Sequence, residues 1–139
     1  MFMLRIKKSV LLLPFLLFFL ASGAQDTLTI MHFNLLNYGN YTSYCTSGNN
    51  NHEDKDIYLR TITGHVNPDI FTVNEISQYE FYHNRILSEV LNVSGKDYYR
   101  KATITNIADS YIINGLFYDS RKLVLHSQAV LQSYVRDIN

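Results

Sequence analysis

Two polar side chains, Asn34 and Glu75, stand where apolar strand-like segments end, and their types suit the binding of a hard cation. Asn34 follows TLTIMHF, residues 27–33, and Glu75 follows DIFTVN, residues 69–74. A carboxylate beside a neutral amide offers oxygen ligands to Mg²⁺, which keeps several waters and takes only one or two carboxylates from a protein. One Glu holds such an ion weakly, so a substrate phosphate or further acids must complete the shell. The plainer alternative is that Glu75 is a solvated loop residue or a helix cap.

The residues before and between these positions predict a strand, a long loop and a helix. Residues 27–33 alternate and are rich in β-branched side chains, which is typical of a strand. The next stretch, residues 36–54, is dense in Asn, Ser, Thr and Gly, and connections of that length are usually functional or mobile. A helix is then predicted to begin at Asp54 as its cap and to end at Asn67-Pro68, with its buried face formed by Ile57, Ile62 and Val66.

The remaining residues predict a strand, a second helix and further strands. The strand is DIFTVNE, residues 69–75, and the helix has apolar residues at helical spacing and ends near Gly95. Its apolar face consists of Tyr79, Tyr82, Ile86 and Val90. Strand-like runs follow at YYRKATI, SYIINGLFY and KLVLHS, and residues 119–122 predict a hairpin turn between the last two.

This order predicts an α+β domain built on a mixed sheet with two helices on one face. A β-α-β start implies parallel strands joined by a right-handed crossover, and the later hairpin adds antiparallel strands. The chain supplies no second apolar layer for the other face, so it is expected to form half of a layered domain. Because the carboxyl ends of parallel strands share one edge of a sheet, where open α/β sheets bind ligands, Asn34 and Glu75 should meet there.

The amino terminus predicts export. Arg5, Lys7 and Lys8 precede an apolar run, residues 10–24, that closes on small residues, as in a signal peptide cleaved after Ala24. An uncleaved anchor is the alternative, but the uninterrupted apolar stretch is shorter than the roughly 20 residues that a spanning helix needs. We therefore expect a secreted or periplasmic protein with residues 1–24 removed and no stable membrane association.

Charge and cysteine content exclude two classes of protein, namely those that bind nucleic acid through a general basic surface and those stabilised by intrachain disulfides. The chain has 12 basic and 12 acidic side chains, and removal of the signal peptide leaves a net charge of −3. A general basic surface for nucleic acid is therefore absent, and any phosphate recognition must be local to a cleft. Cys45 is the only cysteine, so no intrachain disulfide framework is possible.

Three segments together resemble a known family. TIMHFNLLNYG contains Asn34, VNPDIFTVNEIS contains Glu75, and NGLFYDSRKLVL spans residues 114–125. They are similar to the amino-terminal part of the endonuclease/exonuclease/phosphatase superfamily, which has the deoxyribonuclease fold, and most of all to its secreted bacterial members. The similarity runs from about Leu28 to the last residue. Family members typically have Gln-Glu where this chain has Asn74-Glu75.

The resemblance implies metal-assisted hydrolysis of a phosphoester, with nucleic acid among the possible substrates. Glu75 would hold Mg²⁺ or Mn²⁺, and Asn34, as a catalytic residue, would lie beside the metal and the scissile phosphate. Residues 27–139 would form the amino-terminal half of a four-layer α/β/β/α sandwich. The family's later motifs are a His acting with an Asp, Asp-x-Asn and Asp-His. After Leu125 the sequence has no Asp-His pair, and its single His, His126, and its single Asp-x-Asn triplet, Asp137-Ile138-Asn139, do not make up the full set. We therefore expect no hydrolysis by this chain alone, because the general base is missing.

Other clusters of polar residues give weaker indications of function. NHEDKD, residues 51–56, lacks the spacing of a zinc protease or a calcium loop, and a capped helix start explains it. His126 is expected to be a structural or surface residue. The alternative function, from a different class, is a non-catalytic secreted binding module or an inactive fragment.

Overall fold

A computed structural model describes residues 27–106 and 109–130 of the 139-residue chain. The expected signal peptide, residues 1–24, lies outside the described residues. The elements, in chain order, are β1 (Ile30–Tyr38), α1 (His52–Val66), β2 (Ile70–Ser77), α2 (Glu80–Arg85, continued by a π-helical turn over Ile86–Leu91), β3 (Tyr99–Lys101) and β4 (Ile112–Asp119).

The four strands form one mixed sheet in the order β1-β2-β4-β3. β1 and β2 are parallel, with α1 as their crossover, whereas β4 is antiparallel to both β2 and β3. The α+β class and the mixed sheet predicted from the sequence are therefore confirmed. Asp69 precedes β2 and joins it to the start of β1, because its carboxylate accepts from the Thr29 backbone N–H at 2.9 Å.

Both helices contribute to a single core on one face of the sheet, which we call the helix face. Phe71, Val73 and Phe117 point to this face from β2 and β4, and all three are buried. The helices bring Leu59 from α1 and an aliphatic set from α2, namely Ile86, Val90 and Leu91. The opposite face, which we call the open face, carries the alternate residues of the strands, and Ile30 there is 66% exposed.

The start and the buried side of α1 differ from the prediction. Asn51, not Asp54, caps the helix, because its side chain accepts from the Glu53 N–H at 2.8 Å. The buried positions are Asp56, Leu59 and Thr63, whereas Ile57 and Val66 are exposed and Ile62 is half-buried. The helix is rotated in this way because the Asp56 carboxylate pairs with the guanidinium of Arg85, Nε to Oδ2, at 2.7 Å.

The second helix is in place, and two of its four predicted apolar contacts are fully buried. Ile86 and Val90 lie in the core, Tyr82 packs at its margin, and Tyr79, which caps the helix, is 64% exposed. The π-helical turn ends at Leu91, where Asn92 donates its backbone N–H to the Leu87 carbonyl.

The predicted final hairpin is wrong within the described residues. Asp119–Lys122 does form a turn, but residues 123–130 are not a strand, and the predicted strand at YYRKATI is reduced to β3. Both hydrogen-bonding edges of β4 are already occupied, by β2 and β3, so a strand after the turn has no free edge of β4 to pair with. Lys122 instead forms an ion pair with Asp69 at 2.7 Å.

Candidate metal centre at the carboxyl edge of the sheet

The structure brings Asn34 and Glu75 together. Asn34 Nδ2 donates a hydrogen bond to Glu75 Oε1 at 2.9 Å, although the two residues are 41 positions apart. Asn34 is exposed and Glu75 is half-buried, so the pair is accessible from solvent. The expected meeting of these side chains at the carboxyl ends of β1 and β2 is therefore observed.

A β-bulge in β2 turns Glu75 toward Asn34. Val73 pairs with Gly115 and Ile76 pairs with Ile113, which leaves Asn74 and Glu75 together opposite a single residue of β4. Glu75 has φ of 56°, a left-handed conformation that is unusual for a residue with a side chain.

The bulge reconciles two requirements of the local sequence. In a regular strand, residues two apart share a face, so Glu75 would follow Val73 into the core and Ile76 would point to solvent. The extra residue shifts the alternation by one. As a result Ile76 is fully buried, while the Glu75 carboxylate reaches the Asn34 amide.

The end of β1 is also irregular and fixes the orientation of Asn34. Leu36 and Asn37 both have left-handed φ values, 49° and 57°. The Leu36 backbone N–H donates to Asn34 Oδ1 at 2.7 Å. Because a backbone N–H can only donate, the oxygen of the Asn34 amide must face Leu36, which leaves its NH₂ group directed at Glu75. Each non-glycine residue in a left-handed conformation costs free energy, and such residues cluster where function requires a particular geometry.

Lys55 of α1 places a positive charge beside the pair. Its Nζ donates to the carbonyl oxygens of Leu35 at 2.7 Å and Leu36 at 2.8 Å. Burial lowers the pKa of Lys55, and the electrostatic effects of Cys45 and Glu75 oppose that shift. The ammonium group therefore holds the end of β1 and offsets the charge of Glu75.

Three asparagines of neighbouring strands form a row next to Glu75, and only Asn34 among them was predicted from the sequence to be a site residue. Asn34 of β1 pairs with Asn74 of β2, and Asn114 of β4 lies opposite the bulge. Asn74 Oδ1 is buried and has no hydrogen-bond partner among the described residues. The signal that could have revealed the row is the presence of an asparagine within each of the segments that form β1, β2 and β4.

These oxygens fit a divalent cation of the magnesium type. Glu75 supplies the negative charge, and the side-chain oxygen of Asn74, Oδ1, is a neutral ligand of a kind that such ions accept. Within residues 27–106 and 109–130, no three His, Cys, Asp or Glu side chains lie close enough to hold a metal ion. A cation bound here would therefore retain waters or bind together with a substrate phosphate.

An apolar cavity of about 260 Å³ opens on the other side of Asn34, between β1 and α1. Its lining suits a hydrocarbon or an aromatic ring better than a phosphate. The residues around it are Phe33, Asn34, Leu35, Leu36, Lys55, Tyr58, Leu59 and Ile62.

The other sequence clusters do not join the site. His52, Glu53 and Asp54 lie in the first turn of α1, as the capped-helix interpretation predicted, and His52 Nδ1 is 2.7 Å from the Tyr41 hydroxyl. His126 is exposed in an irregular segment, which agrees with a surface role.

Comparisons with known proteins identify no relative. No protein-family model matches the chain, and neither a curated protein nor a solved structure matches it. Over the part of the chain that the structure describes, no helix combines the length and the apolar character needed to cross a bilayer.

Proposed function

We propose that this chain is the amino-terminal half of an exported, metal-dependent phosphoester hydrolase, a nuclease or phosphatase of the endonuclease/exonuclease/phosphatase type. Glu75 binds Mg²⁺ or Mn²⁺, and Asn34 contacts the scissile phosphate beside it. The 2.9 Å hydrogen bond between Asn34 and Glu75, at the edge where parallel strands of α/β sheets bind ligands, is the observation that carries the proposal.

The residues around the pair have distinct tasks in this proposal. The cation, when bound, polarises a phosphoryl oxygen and offsets charge on the leaving oxygen. Asn34 orients the Glu75 carboxylate through its NH₂ group, and Lys55 holds the backbone that carries Asn34. The positive charge of Lys55 also favours a phosphate close to the carboxylate.

The second half of the active site belongs to a second layer in this proposal. Exposed apolar side chains on the open face, Ile30 and Leu116, support a packing partner there, as the four-layer sandwich requires. That layer would contribute the His and Asp groups that activate water. Residues 1–24 would direct the chain out of the cytoplasm and be removed, so the mature protein should begin at Gln25, which mass spectrometry of the exported protein would test.

Mn²⁺ binding tests the assignment of Glu75 directly. The loss of the free-ion electron paramagnetic resonance signal measures Mn²⁺ bound to the purified chain, alone and with inorganic phosphate. Glu75→Gln keeps the shape of the side chain but removes its charge, so it should weaken binding about tenfold or more. Glu89→Gln is the matched control, because the Glu89 side chain accepts only from Ser88 among the described residues. Equal Mn²⁺ affinity in the two variants would refute the assignment.

Hydrolysis tests the division of the active site between two halves. We expect the purified chain to release no product from plasmid DNA or from p-nitrophenyl phosphate esters in Mg²⁺, since in this proposal the groups that activate water belong to the second layer. Turnover that depends on Mg²⁺ and disappears in Glu75→Ala would contradict this expectation and would show that the chain is an enzyme by itself.

A further inference from the structure

The Asn74 side chain carries an unexplained polar atom. Asn74 Oδ1 is shielded from solvent and accepts no hydrogen bond from any described residue. Buried polar atoms in folded proteins are nearly always paired, and an unpaired one costs free energy, so this exception calls for a partner that the described residues do not provide.

The surroundings of this atom restrict the partner. Asn74 shares the bulge with Glu75 and pairs across the sheet with Asn34, whose NH₂ group is already donated to Glu75. Asn74 and Glu75 are therefore both neighbours of Asn34, the first through strand pairing and the second through a hydrogen bond. A species that satisfies both must accept electron pairs from two oxygens, which a hard divalent cation does.

We propose that Asn74 Oδ1 is a second protein ligand of the divalent cation that Glu75 binds; this inference rests on the proposed function. The bulge then has a purpose in metal binding, because it places two consecutive residues opposite one and lets both side chains serve the same ion.

The charges at the site predict how the ion binds. Asn74 adds an oxygen without adding charge, and the Lys55 ammonium offsets the single negative charge of Glu75. A cation therefore meets little net attraction from the protein alone. A phosphate anion supplies the missing charge and oxygen ligands, so Mn²⁺ should bind more tightly in the presence of inorganic phosphate.

Asn74→Leu separates a metal ligand from a merely structural amide. Leu has nearly the same shape but no oxygen, so the metal-free variant should melt at the temperature of the wild type or above it, because an unpaired buried atom has been removed. The same variant should bind Mn²⁺ about tenfold more weakly or worse. Wild-type Mn²⁺ affinity in Asn74→Leu, measured beside a Glu75→Gln variant that has lost binding, overturns the inference and leaves the proposed function intact.

A spectroscopic measurement decides the case in which Asn74→Leu is poorly folded. The chain is prepared with asparagine labelled with ¹³C at the side-chain carbonyl, and Mn²⁺ is added with phosphate. Electron-nuclear double resonance should detect a ¹³C coupling to bound Mn²⁺ in the wild type that is retained in Asn34→Ser. A coupling that is absent from the wild type, or that disappears in an Asn34→Ser protein that still binds Mn²⁺, refutes ligation by Asn74. Wild-type Mn²⁺ affinity in Glu75→Gln would instead refute the proposed function itself.

Discussion

Replacing Arg85 by Met should destabilise the protein severely, because it leaves a buried carboxylate with one partner fewer. The Asp56 side chain is 2% exposed and that of Arg85 is 22% exposed, and the two are joined at 2.7 Å. The hydroxyl of Tyr38, itself fully buried, donates to the other oxygen of Asp56. This network fastens α1 to α2 and to the end of β1.

The size of the expected stability loss follows from the burial of the Asp56 carboxylate. Removing one partner of a buried ion pair costs about 3–5 kcal/mol, since the remaining charge is left uncompensated. A domain of this size loses roughly 4 °C in Tm for each kcal/mol, which gives a decrease of about 12–20 °C for Arg85→Met. The total stability of such domains is only about 5–15 kcal/mol, so the variant would be close to unfolding at ambient temperature.

Circular dichroism at increasing temperature measures the effect, with two further proteins for comparison. Lys101→Met removes an ion pair whose acid, Glu80, is 68% exposed, and it should melt close to the wild type. The triple variant Tyr38→Phe, Asp56→Leu, Arg85→Met removes the whole network and should regain most of the lost stability. An Arg85→Met protein that melts within a few degrees of the wild type would refute the reasoning.

Three further predictions concern stability and association. Burial lowers the pKa of His83 to about 4 from its ordinary value of 6.5, so the unfolded chain binds the proton more readily between these pH values. Roughly 3 kcal/mol of stability should therefore be lost as the pH falls from about 6.5 to 4, and urea unfolding of His83→Gln should show a shallower dependence. Gly39→Ala should lower Tm more than Gly95→Ala, because both glycines have positive φ but only the Cβ added at Gly39 would clash with the ring of Tyr82. Equal losses in the two variants would contradict the clash. The purified chain should self-associate through the open face, and Leu116→Lys should lower its mean mass in analytical ultracentrifugation, whereas a monomeric wild type would contradict this.

The meeting of Asn34 and Glu75 could be predicted from the sequence, because it depends on a general property of parallel strands. The bulge was not predicted, although the run Val73, Asn74, Glu75, Ile76 holds its signal. Two consecutive polar residues between apolar ones interrupt the period of two, and a regular strand would have to bury Glu75 or expose Ile76.

Long-range pairing explains what the sequence analysis missed in α1. Ile57 was expected on the buried face of the helix, whereas Asp56 is buried and Ile57 is exposed. The partner that draws Asp56 inward, Arg85, lies 29 residues further along the chain, so no local pattern reveals it. The prediction of a final hairpin was wrong for a similar reason. Both edges of β4 are occupied, and this depends on the topology of the whole sheet, which no local pattern reveals.

Lys55 restricts where a strand of another molecule can pair with the sheet. β1 is an edge strand, and such strands invite pairing with other chains. Side chains of the same molecule already occupy carbonyl oxygens near its carboxyl end: Lys55 binds those of Leu35 and Leu36, and Asn50 binds those of Leu36 and Asn37. A foreign strand would therefore find acceptors mainly along the first half of β1, away from Glu75, so aggregation by strand addition should leave the candidate metal centre uncovered.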